Sequence, residues 1–301
     1  MGICEGRIVI VTGAGRGIGR GHAIEFARQG AKVVVNDLGG SVEGSGSDLT
    51  PAQEVVEEIK GMGGEAVANA DNVADWEGAQ RLVNTAVETF GGLDVLVNNA
   101  GILRDRMLVN MTAEEWDAVI NVHLRGTFAP ARWAAAYWRE RTKEGHTNDA
   151  RIISTSSASG LYGNPGQTNY GAAKAGIAAF TVIASKELGR YGVTANAIAP
   201  GARTRMTENL GLGAIKVEEG KFDAFAPENV APLVVWLGSA ESKDVTGRVF
   251  NVAGGSISVA ETWHAGPGVD KGDRWEPEEL GKVIPDLVAK AQPNPDMQGN
   301  L

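Results

Sequence analysis

Short apolar runs alternate with amphipathic stretches along most of this chain. Residues 7–12 (RIVIVT), 31–36 (AKVVVN), 66–70, 93–97 (LDVLV), 151–154 (RIIS), 193–198 and 249–252 are dense in β-branched or small apolar side chains. Short runs of this kind predict buried strands. Between them, residues 18–29, 52–62, 76–89, 113–136, 170–190 and 227–238 carry apolar positions at helical spacing. In the first of these, Ile18, Ala23, Phe26 and Ala27 fall on one face. The alternation predicts an α/β fold, a doubly wound parallel sheet of about seven strands with helices on both faces.

The pattern holds without a linker or an internal repeat up to residue 255, so residues 1–255 read as a single domain. The Gly/Ser stretch at 39–48 reads as a surface loop within it. Residues 256–301 read as a partly irregular C-terminal extension with Trp263, Trp275 and a short helix at 277–282. Its polar end, PNPDMQGN, has a composition that stays disordered.

Composition narrows the function. A formal charge of −9 argues against nucleic-acid binding through bulk electrostatics, and 43% hydrophobic residues can fill a sizeable core. The one cysteine, Cys4, allows no intrachain disulfide and no cysteine-based zinc site, and the four histidines show no metal-ligand spacing. No apolar stretch approaches a bilayer span, and the chain enters a strand too soon to leave room for a signal peptide. The expectation is a cytoplasmic protein without metal or membrane partner.

Residues 12–19 read TGAGRGIG, after a strand and before a helix. Gly13, Gly17 and Gly19 let the chain turn tightly and bring backbone N–H groups to a pyrophosphate at the positive end of the helix, beside Arg16 and Ile18. An ordinary glycine-rich turn would look similar. Asp37 closes the second predicted strand, where a carboxylate accepts hydrogen bonds from ribose hydroxyls and repels a 2′-phosphate. That favours NAD over NADP, although the Arg16 guanidinium pulls the other way.

Tyr170 and Lys174 stand four apart in YGAAK, on one helical face. A free tyrosine has a pKa of about 10, and a neighbouring ammonium lowers it by about 1–3 units, making a usable acid–base group. Such a pair is common on solvated faces. Its company raises its meaning: Ser157 follows the strand RIIS, and Asn98, Ala100 and Gly101 belong to NNAG after LDVLV. Both fall at strand C-termini, where open α/β sheets bind ligands.

TGAGRGIG, NNAG, Ser157 and YGAAK, in this order, resemble the short-chain dehydrogenase/reductase family across about residues 5–255. The resemblance implies a one-domain Rossmann-type fold, with residues 1–255 as the dinucleotide-binding catalytic domain, Tyr170 as acid/base, Lys174 lowering its pKa and holding the nicotinamide ribose, and Ser157 orienting the substrate oxygen. It further implies adenine contacts from Asn72 and Val73, Asn98 along the cofactor, backbone contacts at Pro200 and Gly201, and a homodimer or homotetramer. The family's relay asparagine is replaced by His123. That residue reads either as a packed histidine bonded to nearby backbone or as a titratable group in the relay. The segment after Gly201 has Thr204 one place earlier than the family pattern.

Stretches such as VVVNDLGG, NNAGILRDRM and VHLRGTF are similar to the dehydrogenase units of peroxisomal multifunctional β-oxidation enzymes. This implies oxidation of a (3R)-3-hydroxyacyl-CoA thioester with NAD, with Arg104, Arg106, Arg203 and Arg205 at the pocket mouth as candidate partners for CoA phosphates. A hydroxysteroid is the alternative substrate, with Tyr162, Phe222 and Trp263 as candidate walls. A non-catalytic NAD-binding scaffold is a further alternative.

Overall fold

The computed structural model describes residues 2–41, 45–46, 49–204, 221–261 and 263–301. The first half runs β1 (Ile8–Thr12), α1 (Gly17–Arg28), β2 (Lys32–Asn36), α2 (Thr50–Gly61), β3 (Glu65–Asn69), α3 (Trp76–Phe90) and β4 (Val95–Asn98). The second runs α4 (Ala113–Ile120), α5 (Gly126–Lys143), β5 (Ala150–Thr155), α6 (Ala158–Tyr162), α7 (Thr168–Leu188), β6 (Val193–Gly201), α8 (Ala231–Gly238), β7 (Val249–Ala253), β8 (Ser256–Ala260) and α9 (Pro277–Lys290).

The strands form one sheet in the order β3-β2-β1-β4-β5-β6-β7-β8, parallel except for the last pair. Period-two alternation divides the core. Val9, Val11, Val33, Val35, Val95 and Val97 face the layer of α1, α2 and α8, whereas Ile10, Val34, Leu96 and Ile152 face α3 and α5, where Trp138 is buried. The strand order reverses between β1 and β4, and the crevice at their C-terminal ends is where this class of sheet takes a ligand.

Several elements differ from the sequence expectation. The continuous helix expected over 113–136 is α4 and α5 joined by a π-helical turn at Asn121–Arg125, which carries His123. One widened turn leaves the apolar spacing almost unchanged, so periodicity does not reveal it. The expected break after Gly255 is instead a tight hairpin: Gly254–Gly255 turn the chain and β8 returns antiparallel along β7, Ala253 opposite Ser256. The sheet therefore has eight strands. Helix α9 runs to Lys290 rather than 282, through Pro285, and the polar end closes in a turn on the Asp296 carboxylate, which accepts from Gln298 N and Asn300 N at 2.9 Å each.

Candidate functional site

At the switch point the glycine turn and NNAG are built into each other. Thr12 Oγ1 donates to Val97 O at 3.3 Å and accepts from Asn99 N at 2.9 Å and Ala100 N at 3.1 Å. Asn99 Nδ2 returns to Thr12 O at 3.0 Å and Gly13 O at 3.2 Å. Gly13 and Gly17 have φ of 61° and 55°, which side chains resist. A Cβ on Gly13 would fall 2.8 Å from Ala100 Cα, and one on Gly19 would fall 2.1 Å from Gly13 O. Gly17 opens α1, Ile18 packs on the core, and the Arg16 side chain is exposed. The result is a fixed cradle at a helix N-terminus, with room kept for the backbone of a phosphate-bearing ligand.

Asp37 follows β2 and faces this turn. Its Oδ2 accepts from Gly15 N at 2.8 Å and its Oδ1 from Gly39 N at 2.7 Å, so each oxygen is aimed and keeps lone-pair capacity. Beneath it, Asn36, Asn69 and Asp71 interlock: Asn36 Nδ2 donates to Asn69 Oδ1 at 2.8 Å, and Asn69 Nδ2 to Asp71 Oδ2 at 2.9 Å. Asn72 caps its own turn through Ala74 N at 2.9 Å, and the Val73 side chain is buried against Gly126. Asn98 is buried, with both amide atoms lacking a protein partner among the described residues. Such a group calls for an additional partner. The orphaned amide and the cradle suit a dinucleotide. Pro200 and Gly201 end β6 beside Val252 and Ala253, and Thr204 methyl approaches Gly17, its Cγ2 lying 3.6 Å from where a Cβ there would be.

Three segments bring the proton-transfer candidates together. Ser157 leaves β5 in extended conformation and caps α6, its Oγ accepting from Ser159 N at 3.2 Å. Its hydroxyl lies on the Tyr170 side and favours the ionised phenol. Lys174, one turn on in α7, is buried; its Nζ donates to Thr155 O at 2.6 Å and sits 5.4 Å from the Tyr170 ring centre. Burial pushes the Tyr170 hydroxyl up to about 12, against the Ser157 hydroxyl, and the Asp105 carboxylate adds to the rise. Burial also pulls Lys174 down to about 7. The expectation that Lys174 lowers Tyr170 is therefore not met by the protein groups alone: the ammonium is itself weakened, and desolvation of the phenolate wins.

His123 is buried, its Nε2 lying 2.7 Å from Ile102 O and 3.1 Å from Ile102 N, a pairing whose direction follows the tautomer. Its Nδ1 has no partner among the described residues. Burial, then the Lys174 charge, pull it down to about 3, so at neutral pH it is an uncharged ring rather than a titrating one.

Of the arginines placed at the mouth, Arg106 pairs with Glu115 at 3.0 Å and Arg203 with Asp223, while Arg205 lies outside the described residues. Trp263 is 95% exposed and Phe222 68%, so neither forms an apolar wall; Tyr162 Oη accepts from Asn251 Nδ2 at 3.0 Å. Sequence reasoning missed Thr12, Asn99, Asp105, Gln167 and Asn169. The first two lie inside recognised motifs, as Thr12 of TGAGRGIG and Asn99 of NNAG, but bonds from one loop to another have no sequence period to betray their role.

Among the described residues no three or more His, Cys, Asp or Glu side chains form a metal-binding group, and no helix is long and apolar enough to cross a membrane. The family model for short chain dehydrogenases matches residues 7–213. Hydroxyacyl-CoA dehydrogenase ChsB1 of Mycobacterium tuberculosis is 45% identical over 96% of this chain and 90% of its own length. The peroxisomal multifunctional enzyme type 2 of mouse is 47% identical over 84% of this chain but only 32% of that enzyme. The crystal structure of a short chain dehydrogenase from Mycobacterium avium superposes with a TM-score of 0.87 at 60% identity, covering 97% of this chain and 98% of that one. The chain belongs to the short-chain dehydrogenase family, oxidoreductases that use a nicotinamide dinucleotide.

Proposed function

We propose that this protein interconverts a secondary alcohol and a ketone with NAD, and that its substrate is a (3R)-3-hydroxyacyl-CoA. The observation that carries the chemistry is the convergence of Ser157, Tyr170 and Lys174 at the strand ends beside the glycine cradle. The substrate class is supported by the relatives named for hydroxyacyl-CoA and multifunctional peroxisomal activity.

In this reading Gly13, Arg16, Gly17, Ile18 and Gly19 hold the pyrophosphate, Asp37 the adenosine ribose, Asn72 and Val73 the adenine. Asn98, Ala100, Gly101, Pro200 and Gly201 line the nicotinamide side, with Tyr170 and Lys174 on its ribose. The bound nicotinamide supplies the hydride acceptor and, in its oxidised form, a positive charge. Ser157 donates to the substrate oxygen and fixes it beside the Tyr170 hydroxyl. Tyr170 takes the alcohol proton as the carbonyl forms, and the second positive charge offsets the desolvation that otherwise keeps the phenol protonated. Lys174, anchored by Thr155 O, holds the face of the helix where this exchange occurs. His123 acts as a packed support.

The reading includes a homodimer or homotetramer, supported by the apolar groove between α5 and α7, where Phe128 and Ile183 remain exposed. The test is NADH formation with a (3R)-hydroxyacyl-CoA, its (3S) isomer and a 17β-hydroxysteroid, with Tyr170→Phe as control. Turnover of the (3R) thioester alone, abolished in the variant, is the expected result. Turnover of the steroid alone would sink the CoA assignment and leave the proton chemistry standing.

A further inference from the structure

The segment 295–300 reaches the helix that begins at Ser157. Its turn is closed by Asp296, whose carboxylate accepts from Gln298 N and Asn300 N at 2.9 Å each and from Asn300 Nδ2 at 3.1 Å. Pro295, Met297 and Gly299 are half-buried while the residues between them are exposed, so one side of the segment lies on the body of the protein. It meets Tyr162 there: a Cβ on Gly299, whose φ is 83°, would fall 3.1 Å from both Cζ and Oη of that ring.

Tyr162 is itself held in place. Helix α6 is five residues long and capped by Ser157, so Tyr162 stands about 7–8 Å from Ser157 along the axis. The helix sits so closely on α7 that a Cβ on Gly160 would fall 2.6 Å from Lys174 Cβ. Ser159 Oγ donates to Gln167 Oε1 at 2.7 Å, and Gln167 Nε2 donates to Asp105 Oδ2 at 2.7 Å, which ties α6 to the start of α7 and to the loop after β4. Asn169 Nδ2 adds a bond to Arg104 O of that loop at 2.9 Å. On the sheet side Leu161 packs on Ala197, Val249 and Ala260, and Asn251 Nδ2 donates to Tyr162 Oη at 3.0 Å.

We propose that Tyr162 and the segment 295–300 form the wall along which the alkyl chain of the substrate lies, and that this wall selects for chain length. The proposal rests on the (3R)-3-hydroxyacyl-CoA reading. From a reacting carbon fixed at Ser157 and Tyr170, such a substrate extends two ways, toward the thioester and its CoA and along the alkyl chain. The Asp296 carboxylate repels phosphates, so the alkyl arm is the one that suits this side. The Tyr162 ring supplies apolar surface to it, with Pro295 and Met297 in the adjoining segment. A lone methyl ends short of a wall about 7–8 Å away, whereas a long chain is buried against it.

Two variants test the wall. A chain ending at residue 290 keeps α9 and removes the segment, and Gly299→Ala forces a Cβ against the Tyr162 ring at a φ that side chains resist. Each is assayed for kcat and KM with (3R)-hydroxybutyryl-CoA and (3R)-hydroxyhexadecanoyl-CoA, with the thermal midpoint as the check on folding. In the shortened chain the ratio of kcat/KM for the long thioester to that for the short one is expected to fall about tenfold, through a higher KM for the long one. That is the worth of roughly two buried methylene groups. Gly299→Ala should move the ratio the same way by less, and it decides alone if the shortened chain does not fold. An unchanged ratio, a ratio moved toward the long thioester, or an equal loss with both would overturn the wall and spare the proposed chemistry. Turnover of a 17β-hydroxysteroid but of neither thioester by the unaltered protein would remove the CoA reading and the wall with it.

Discussion

The imidazole of His123 stands edge-on to the phenol of Tyr170, the ring centroids 5.1 Å apart and the planes at 89°. This contact depends on a residue in a different motif. A Cβ on Gly101 would fall 2.4 Å from His123 Cε1, and the ring is buried with Nε2 held at the Ile102 backbone, so it has nowhere to retreat. The final glycine of NNAG thereby makes room for the histidine that supports the tyrosine.

Gly101→Ala is accordingly expected to destabilise the protein by about 1–3 kcal/mol, as overpacking does, and to lower kcat by displacing Tyr170. His123→Ala removes the clashing ring and leaves a void. The double variant is expected to be less destabilised than the sum of the two, because the clash has lost its partner. Urea unfolding of the four proteins gives the cycle, and strict additivity would contradict the account.

The buried histidines also set an acid limit. Burial takes His22 from 6.5 to about 3, and burial with the Lys174 charge takes His123 equally far. In the unfolded chain both gain a proton as pH falls through about 6.5, while in the folded protein neither does until about 3. The unfolded state binds more protons in that window. Stability is therefore complete above it and falls with decreasing pH, by about 1.4 kcal/mol per pH unit for each histidine. Neither ring nitrogen of His22 has a hydrogen-bond partner among the described residues, so His22→Leu costs no bond. Urea midpoints across this pH range should show a shallower slope in His22→Leu than in wild type; equal slopes would count against the assignment.

In the proposed function cofactor choice turns on Asp37, whose two oxygens are aimed by Gly15 N and Gly39 N. Replacing it with Asn keeps an acceptor but removes the repulsion of a 2′-phosphate, leaving the exposed Arg16 guanidinium to attract one. The ratio of kcat/KM for NAD to that for NADP should fall by about ten- to a hundredfold, the worth of a charged hydrogen bond. A wild type that already prefers NADP, or an unchanged ratio, would reverse the proposal.

The sheet was legible in the sequence because period-two strands and helical stripes separate cleanly, as Val9, Ile10 and Val11 alternate between the two cores. The placement of the glycine turn was legible because its backbone needs positive φ, and that of Tyr170 and Lys174 because of their i,i+4 spacing. The placement of Asp37 and Ser157 was legible because each follows a predicted strand; the roles of all these residues belong to the proposed function. Other features were hidden for physical reasons. The π turn at His123 alters hydrogen bonding without altering hydrophobic period, and Gln167 acts only through partners far away along the chain, such as Asp105. The electrostatic setting of Tyr170 was less legible, because spacing shows the nearby lysine but not the desolvation both groups share.

The C-terminal extension splits into parts with different roles in stability. β8 pairs with β7 over five residues, and Ala260 is buried with Ala197 and Val249. Helix α9 buries none of its residues. A chain ending at residue 275 should keep nearly the thermal midpoint of the full protein, since no core side chain is lost. A chain ending at residue 255 unpairs β7, uncovers Val249 and moves the open edge of the sheet from β8 to β7, whose freed pairing groups invite association with other edges. Its thermal midpoint should drop by several degrees and light scattering should rise on heating. A midpoint unchanged by the cut at 255, or a drop already complete with the cut at 275, would mean that β8 does not carry the extension's part in stability.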